Sequence, residues 1–400
     1  MYKEIVELFL HSKSKKRVKQ RFFQSLLVKK DKIVFTNFHG NGFGDNPKYI
    51  ALELLRQNKP YDLVWLGDRE DKDIPASVRQ VTCGSLREMY ELATAHVIVS
   101  NVKGGLPYYK KEDQFYIQTW HGSHSLKEIE AQVEDTLPPG YVEESKADSR
   151  DIDVFLSDGS CADDWIRKTF WYSGKVLTCG LPRNDLFFYA TREDVKRIRE
   201  KLCLPEDVRC LMYAPTFRDD RSYNPYDLDV EAVLDAAAER FGGTWWMLVR
   251  LHPNDANRSD LFQYDAHIRN VSFYSDMQEL LLISDMLITD YSTCFHEMAS
   301  YLERPVFFYA SDVDRYASKS RRLTSLYYEM PFEKYRSNAD LIHGIQSFDR
   351  EKYNEEVREY KKMEPDCSDG SASKAVVDLI DRVMDGTLSA DKSQESLRNP

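Results

Sequence analysis

Ile33-Val34-Phe35-Thr36-Asn37-Phe38 runs directly into Gly40-Asn41-Gly42-Phe43-Gly44-Asp45, and then into Pro47 and a segment that stays apolar through Leu55. The first six residues are β-branched and aromatic, with no turn former among the first four, and read as a buried strand. The glycines after them read as a loop at the strand's carboxyl end. Asp45 or Asn46 is then expected to cap a helix whose first position is Pro47, where the missing N–H costs nothing. A strand, a tight loop and a helix in under thirty residues form one unit of a parallel α/β sheet.

The same rhythm extends outward from this unit. Strands are expected at Leu63–Leu66, Val97–Asn101, Phe115–Thr119, Asp153–Ser157 and Val176–Cys179, with helices at Ser85–Ala95 and near Ala162–Phe170. The charged stretch Thr191–Pro205 marks a boundary. A second series follows, with strands at Cys210–Ala214, Trp245–Leu251, Met286–Thr289 and Val306–Tyr309 and helices at Val230–Arg240, Met277–Ser284 and Cys294–Leu302. A last helix at Ser373–Met384 precedes a polar tail. The expected architecture is therefore α/β: two Rossmann-like doubly wound domains, 31–195 and 196–385, with a cleft between them and a tail at 386–400.

Composition narrows the function classes. The net charge is −11, yet residues 1–30 hold nine Lys or Arg against two Glu, so the arm carries +7 and the remainder −18. An acidic body argues against nucleic acid as its partner. Seven scattered cysteines offer no zinc spacing and are expected to be reduced thiols. No run is long and apolar enough to span a bilayer, and the Ile5–Leu10 segment, interrupted by Glu7, is too short for a secretory signal. The glycines at 40, 42 and 44 lack dinucleotide spacing, so NAD is not expected.

Candidate chemistry lies at the strand ends, where open α/β sheets bind ligands. Thr119-Trp120-His121-Gly122-Ser123 follows a strand, and Gly122 allows a sharp turn that lets His121 face the cleft as a general base. Arg250-Leu251-His252-Pro253 ends another strand, with Arg250 and His252 on one face of the pleat, suited to a pyrophosphate. Asp290-Tyr291-Ser292-Thr293 leads into a helix whose N-terminal dipole attracts anions, although plain helix capping by Ser292 or Thr293 explains the same residues. Arg218, in Tyr213 to Asp219, is placed for a phosphate. No metal-binding cluster stands out. Asp312 and Asp314 share a loop that could bind a cation, although a solvated loop is the preferred reading.

Taken in order, six stretches resemble the CDP-glycerol glycerophosphotransferases of teichoic acid synthesis, a family of poly(glycerol phosphate) polymerases and priming enzymes. They are Asp45-Asn46-Pro47-Lys48, Gln118 to Ser123, Gly180-Leu181-Pro182-Arg183-Asn184-Asp185, Tyr213 to Asp219, Arg250 to Pro253, and Ile288 to Thr293. The resemblance covers about residues 30–385 and implies a GT-B architecture. It implies transfer of glycerol phosphate from CDP-glycerol to a hydroxyl of a lipid-linked acceptor, with release of CMP. His121 and His252 then map onto the family's two histidines. Arg218, Arg250, Asp290, Ser292 and Thr293 fall to the donor phosphates, and Asn46, Lys48, Trp120, Ser123, Arg183 and Asn184 to the acceptor side or the cleft wall.

Two departures bear on substrate. Ser123 stands where the family usually has Thr, and Arg321-Arg322-Leu323 stands where many members have Arg-Gly and aromatics, which leaves the polyol, glycerol or ribitol, open. A nucleotide-sugar glycosyltransferase of the same architecture and a non-catalytic module are the competing readings. The length is nearer that of the priming enzymes than of the longer polymerases. No tightly bound cofactor is expected beyond CDP-glycerol as substrate, and magnesium is compatible with the reaction although the sequence identifies no site for it. Ser12–Arg21 holds six basic residues in ten between two apolar flanks, so the arm reads as a basic amphipathic helix on an anionic membrane surface. The corresponding location is the cytoplasmic face of the cell membrane.

Overall fold

The structure, a computed structural model, describes residues 22–104, 110–218, 220, 223–252, 255–256 and 262–388. The expected basic helix before residue 22, Asp219, Pro253 and the tail from residue 389 lie outside these residues.

Seven strands form the first sheet: β1 (Lys32–Thr36), β2 (Asp62–Gly67), β3 (Arg79–Thr82), β4 (Val97–Ser100), β5 (Phe115–Gln118), β6 (Val154–Ser157) and β7 (Lys175–Thr178). Their order is β3-β2-β1-β4-β5-β6-β7, and every pairing is parallel. The second sheet has β8 (Val208–Ala214), β9 (Thr244–Val249), β10 (Ile268–Asn270), β11 (Met286–Thr289), β12 (Val306–Tyr309) and β13 (Lys334–Tyr335) in the order β10-β9-β8-β11-β12-β13, again parallel throughout. In both sheets the order reverses beside the first strand, at β1/β4 and at β8/β11. That reversal opens a crevice beyond the strand ends.

Alternation in β1 fills both faces of the first sheet. Ile33 and Phe35 join one core with Ile50, Leu54 and Trp65, while Val34 joins another with Val64, Leu66 and Ile98. The three strands absent from the sequence reading, β3, β10 and β13, are short and partly polar. Of Arg79-Gln80-Val81-Thr82 only Val81 is buried, so no period-2 apolar signal exists to read.

Two expectations are corrected. Gly44, not Asp45 or Asn46, holds the cap position of the helix Asp45–Arg56, and no side chain caps it. Asp45 takes a positive φ of 54° and Asn46 is wholly buried, because both are committed to the loop contacts described below. The helix Ala372–Met384, expected to close the second domain, packs instead on the first sheet's side. Val376, Val377, Ile380 and Val383 share a core with Ile33 and Phe35, and Lys59 and Tyr61 both bind Asp381. Its apolar face matches the helix Asp45–Arg56 across the core, which sequence order alone does not reveal.

Candidate active site

The site grows from the crevice of the first sheet. Asn37, just after β1, and Asn101, just after β4, join side chain to side chain at 2.8 Å, and Asn101 also accepts from the Phe38 N–H at 2.9 Å. The Asn101 carbonyl then accepts a hydrogen bond at 2.8 Å from Nδ1 of His121, which lies one strand further on. A carbonyl can only accept, so Nδ1 carries the proton and the Nε2 lone pair is the free one. Trp120 stacks on the ring at 4.0 Å and Phe38 flanks it at 5.0 Å. Desolvation by these neighbours is the main reason the His121 pKa falls to about 4, with the Asn101 contact and Asp45 opposing it. At neutral pH His121 is an uncharged base with its tautomer fixed.

The turn that presents His121 is strained and held. Trp120 sits at φ 49°, with its N–H on Gln118 Oε1 at 2.9 Å and its carbonyl accepting from Asn46 Nδ2 at 3.0 Å. Gly122 sits at φ 152°, and a Cβ there would lie 2.9 Å from Thr293 Oγ1. Only glycine lets the first sheet's turn approach the Asp290–Thr293 turn of the second sheet so closely.

Buried charges lock the two halves together around that approach. Arg183 Nη1 donates to Asp45 Oδ2 and to the His121 carbonyl, each at 2.8 Å, while Nη2 donates to Glu297 Oε1 at 2.5 Å. Lys48 Nζ reaches Asp276, the cap of the helix Met277–Ile283, at 2.6 Å and Glu279 within that helix at 3.0 Å. Asn184 contacts Tyr301 at 3.3 Å, and Ser123 is buried. The residues assigned to the acceptor side thus stand at the junction of the halves, where Asn46, Lys48 and Arg183 act as struts.

Three residues assigned to the donor are held by partners within the protein. Arg218 is buried, with Nε and Nη2 on the Asp312 carboxylate at 2.7 and 2.9 Å, and Nη1 on Asp290 at 2.9 Å and on the Thr216 carbonyl. Asp290 also accepts from the Thr216 and Tyr291 N–H groups, which fixes the turn. Arg250 points Nη1 at the carbonyls of Val271, Ser272 and Tyr274, so it holds a loop. Arg218 and Asp290 are buried and so must find protein partners, which they find in each other, while the partly buried Arg250 is engaged by carbonyls. The Asp312/Asp314 loop divides likewise, Asp312 to Arg218 and Asp314 to Arg336 at 3.1 Å.

Ser292 and Thr293 remain for a ligand, and His252 stands beside them. Thr293 makes no side-chain cap, and Ser292 Oγ reaches the Cys294 N–H only at 3.5 Å, so the capping explanation is weak. The His252 ring lies 4.6 Å from Phe217. Its pKa is held below the usual histidine range, first by desolvation and then by the charges of Lys127 and the other groups, His121 included, that face it. The two histidines therefore share one electrostatic environment across the crevice.

Lys127 is the residue the sequence reading missed. The segment after His121 crosses to the second half: Leu126 enters its core, and backbone hydrogen bonds link Glu128 to Arg322 and Thr324 to Leu126 at 2.9 and 3.1 Å. Arg322 further pairs with Glu128 at 2.5 Å. This staple brings Lys127 beside Asp290, Arg218 and Arg321, where desolvation, then the two arginines against Asp290, lower its pKa to about 8. A lone lysine in a charged loop carries no periodic signal in sequence. The cluster His121, His252, Lys127, Ser292 and Thr293 offers one neutral base and a set of donors for an anion.

The chain as a whole is similar to known proteins. The profile of the family described as CDP-Glycerol:Poly(glycerophosphate) glycerophosphotransferase matches residues 18–382. A teichoic acid poly(glycerol phosphate) polymerase of Staphylococcus epidermidis is 32% identical over 367 residues, 88% of this chain, and this chain spans about half (51%) of that protein's length. A teichoic acid glycerol-phosphate transferase of Staphylococcus aureus is 30% identical over 375 residues, covering 89% of this chain and 94% of the relative. The solved structure of the wall teichoic acid polymerase TagF superposes with a TM-score of 0.81 at 30% identity, over 94% of this chain and 95% of that one. A histidine-to-asparagine variant of TagF soaked with CDPG superposes at 0.83. The GT-B-like arrangement of two parallel sheets is shared with TagF, and the chain belongs to the CDP-glycerol:poly(glycerophosphate) glycerophosphotransferase family.

Proposed function

We propose that this protein transfers glycerol phosphate from CDP-glycerol to a hydroxyl of a lipid-linked acceptor and releases CMP. The observation that carries the reading is His121: a neutral imidazole with Nδ1 held by the Asn101 carbonyl and Nε2 free, at the junction of two strand-end crevices. The acceptor hydroxyl loses its proton to Nε2 as its oxygen attacks the donor's β-phosphorus. The bond from that phosphorus to the bridging oxygen breaks, and the electron pair leaves on CMP. Lys127, the Ser292 and Thr293 hydroxyls and His252 supply the donors that stabilise this charge. In this reading residues 31–195 present the acceptor and the second-sheet half holds the cytidine diphosphate. Charge and apolar flanks support an arm, residues 1–30, that rests on an anionic membrane at the cytoplasmic face. Among the described residues no helix is long and apolar enough to cross a membrane.

The test is a donor screen that follows nucleotide release with a lipid-linked acceptor present. CMP from CDP-glycerol supports the reading, CMP from CDP-ribitol alone moves the polyol, and UDP from a nucleotide sugar overturns it. Deleting residues 1–30 should abolish binding to vesicles containing anionic lipid at low salt. Unchanged binding removes the membrane role.

A further inference from the structure

Behind the His121 turn lies a second cluster that the reaction does not use. His124, Asp158, His296 and Asp366 come from the turn itself, the end of β6, the helix Cys294–Ser300 and the segment before the helix Ala372–Met384. One ligand atom from each lies within 4.8 Å of the others. The two imidazoles stack at 3.8 Å with planes 15° apart. Their outer nitrogens are occupied: His124 Nδ1 meets Glu364 Oε2 and His296 Nδ1 meets Tyr360 Oη, each at 3.0 Å. Both Nε2 atoms turn inward, His296 Nε2 to 3.0 Å from Asp366 Oδ2 and His124 Nε2 to 3.3 Å from Asp158 Oδ2.

Asp366 already accepts from the Tyr301 hydroxyl and from the Ser368 N–H at 2.5 Å, but the Asp158 side of the centre is unsatisfied. Asp158 is 1% exposed and neither of its oxygens has a hydrogen-bond partner, and His124 Nε2 has none either. The 3.3 Å approach is thus wrongly angled for an N–H to bridge it, and face-to-face imidazoliums would repel. A buried group without donors needs another source of positive charge. Two imidazole nitrogens and two carboxylates supply it best by holding a divalent ion, with net charge balanced. An outer carboxylate or hydroxyl on each imidazole is the arrangement that orients histidine ligands.

We infer that His124, Asp158, His296 and Asp366 form a binding site for a divalent transition metal, zinc by the chemistry of the donors, that ties the first sheet to the second directly behind the base. Imidazole nitrogen favours zinc over magnesium or calcium, which select all-oxygen sites. The ion is structural in this role: three of its four ligands are buried, Asp366 is partly so, and they come from both halves.

The test uses the full chain, dialysed against chelator and titrated with zinc, magnesium and calcium in competition with a chromophoric chelator. Cobalt(II) serves as the optical probe. One zinc per chain is expected, with no comparable magnesium or calcium binding and intense four-coordinate cobalt bands. No thiolate charge-transfer band should accompany them, which separates the site from the seven free cysteines. Asp158→Asn and His296→Gln should weaken zinc at least ~10-fold, while His121→Ala keeps the stoichiometry. If the wild-type chain takes up no stoichiometric zinc and cobalt shows only its aqua spectrum, the cluster is a protonated imidazole–carboxylate network. Zinc retained undiminished by folded Asp158→Asn and His296→Gln proteins also overturns the assignment. The wild-type titration decides even if a variant fails to fold.

Discussion

The turn after β5 and the turn after β11 approach each other across the crevice, yet they are built in opposite ways. After β5 the protein uses backbone carbonyls and amides to fix the chain, and one ring nitrogen of His121 is left over for chemistry. After β11 the charged groups fix one another, Asp290 with Arg218 and Arg218 with Asp312, and only the neutral hydroxyls of Ser292 and Thr293 are left. The strongest charges at a strand end are the least available ones. A buried ion must be compensated within the protein before any ligand arrives. Lys127 escapes because it arrives on a crossing loop where, among the described residues, no carboxylate stands at ion-pairing distance, a position reflected in its lowered pKa.

Substitutions can break this contrast in order of expected effect. His121→Ala should fold, bind CDP-glycerol and lose ~10²–10⁴-fold in transfer, as removal of a general base does. Near-normal CMP release with acceptor present would move the base elsewhere. Arg218→Met should cost about 3–5 kcal/mol of stability in urea denaturation, because it strands Asp290 and Asp312 as buried charges. If Arg218 were chiefly a phosphate ligand, donor affinity would drop while the denaturation midpoint held.

Lys127→Ala should show the converse: donor affinity about 10-fold lower by calorimetry, with no loss of stability. The pH profile sharpens the same distinction. His121 is active when neutral, so the acid limb of kcat/KM should follow its protonation near pH 4 and lie well below the ordinary histidine value of ~6.5. Lys127 acts when charged, so the alkaline limb should begin as its proton leaves near pH 8 and move upward in Lys127→Arg. An acid limb at ~6.5 would mean that His121 is not desolvated in the working enzyme. Smallest in stability is the pair Ser292→Ala with Thr293→Ala. Without a Thr293 cap to lose, the melting curve should shift by no more than ~0.5 kcal/mol while donor affinity falls. A loss of ~1 kcal/mol or more would restore the capping explanation.

The parallel α/β class was legible because β1, β4, β5, β6, β8 and β11 are apolar on both faces and all of them but β4, whose next described element is β5, lead into a helix. The edge strands β3, β10 and β13 were not, since a strand with one buried side is a short and partly polar string. His121 was legible as a candidate from its place between a strand and Gly122, and His252 from its place before Pro253. Their common environment was not, because 131 residues of chain separate them.

The amino-acid order by itself determined local matters: which stretches pleat, which coil, and where a glycine lets a turn reverse. It could not determine which polar groups are free. Arg218 and Lys127 are equally cationic in sequence, and only the folded chain gives Arg218 two carboxylates and leaves Lys127 facing the crevice. The Ala372–Met384 helix reads as the end of the second series, and packing returns it to the first. His124, Asp158, His296 and Asp366 share no spacing at all until the two sheets dock. Propensity acts over a few residues, whereas desolvation and charge compensation depend on every atom within several ångströms, and tertiary structure alone sets those neighbours.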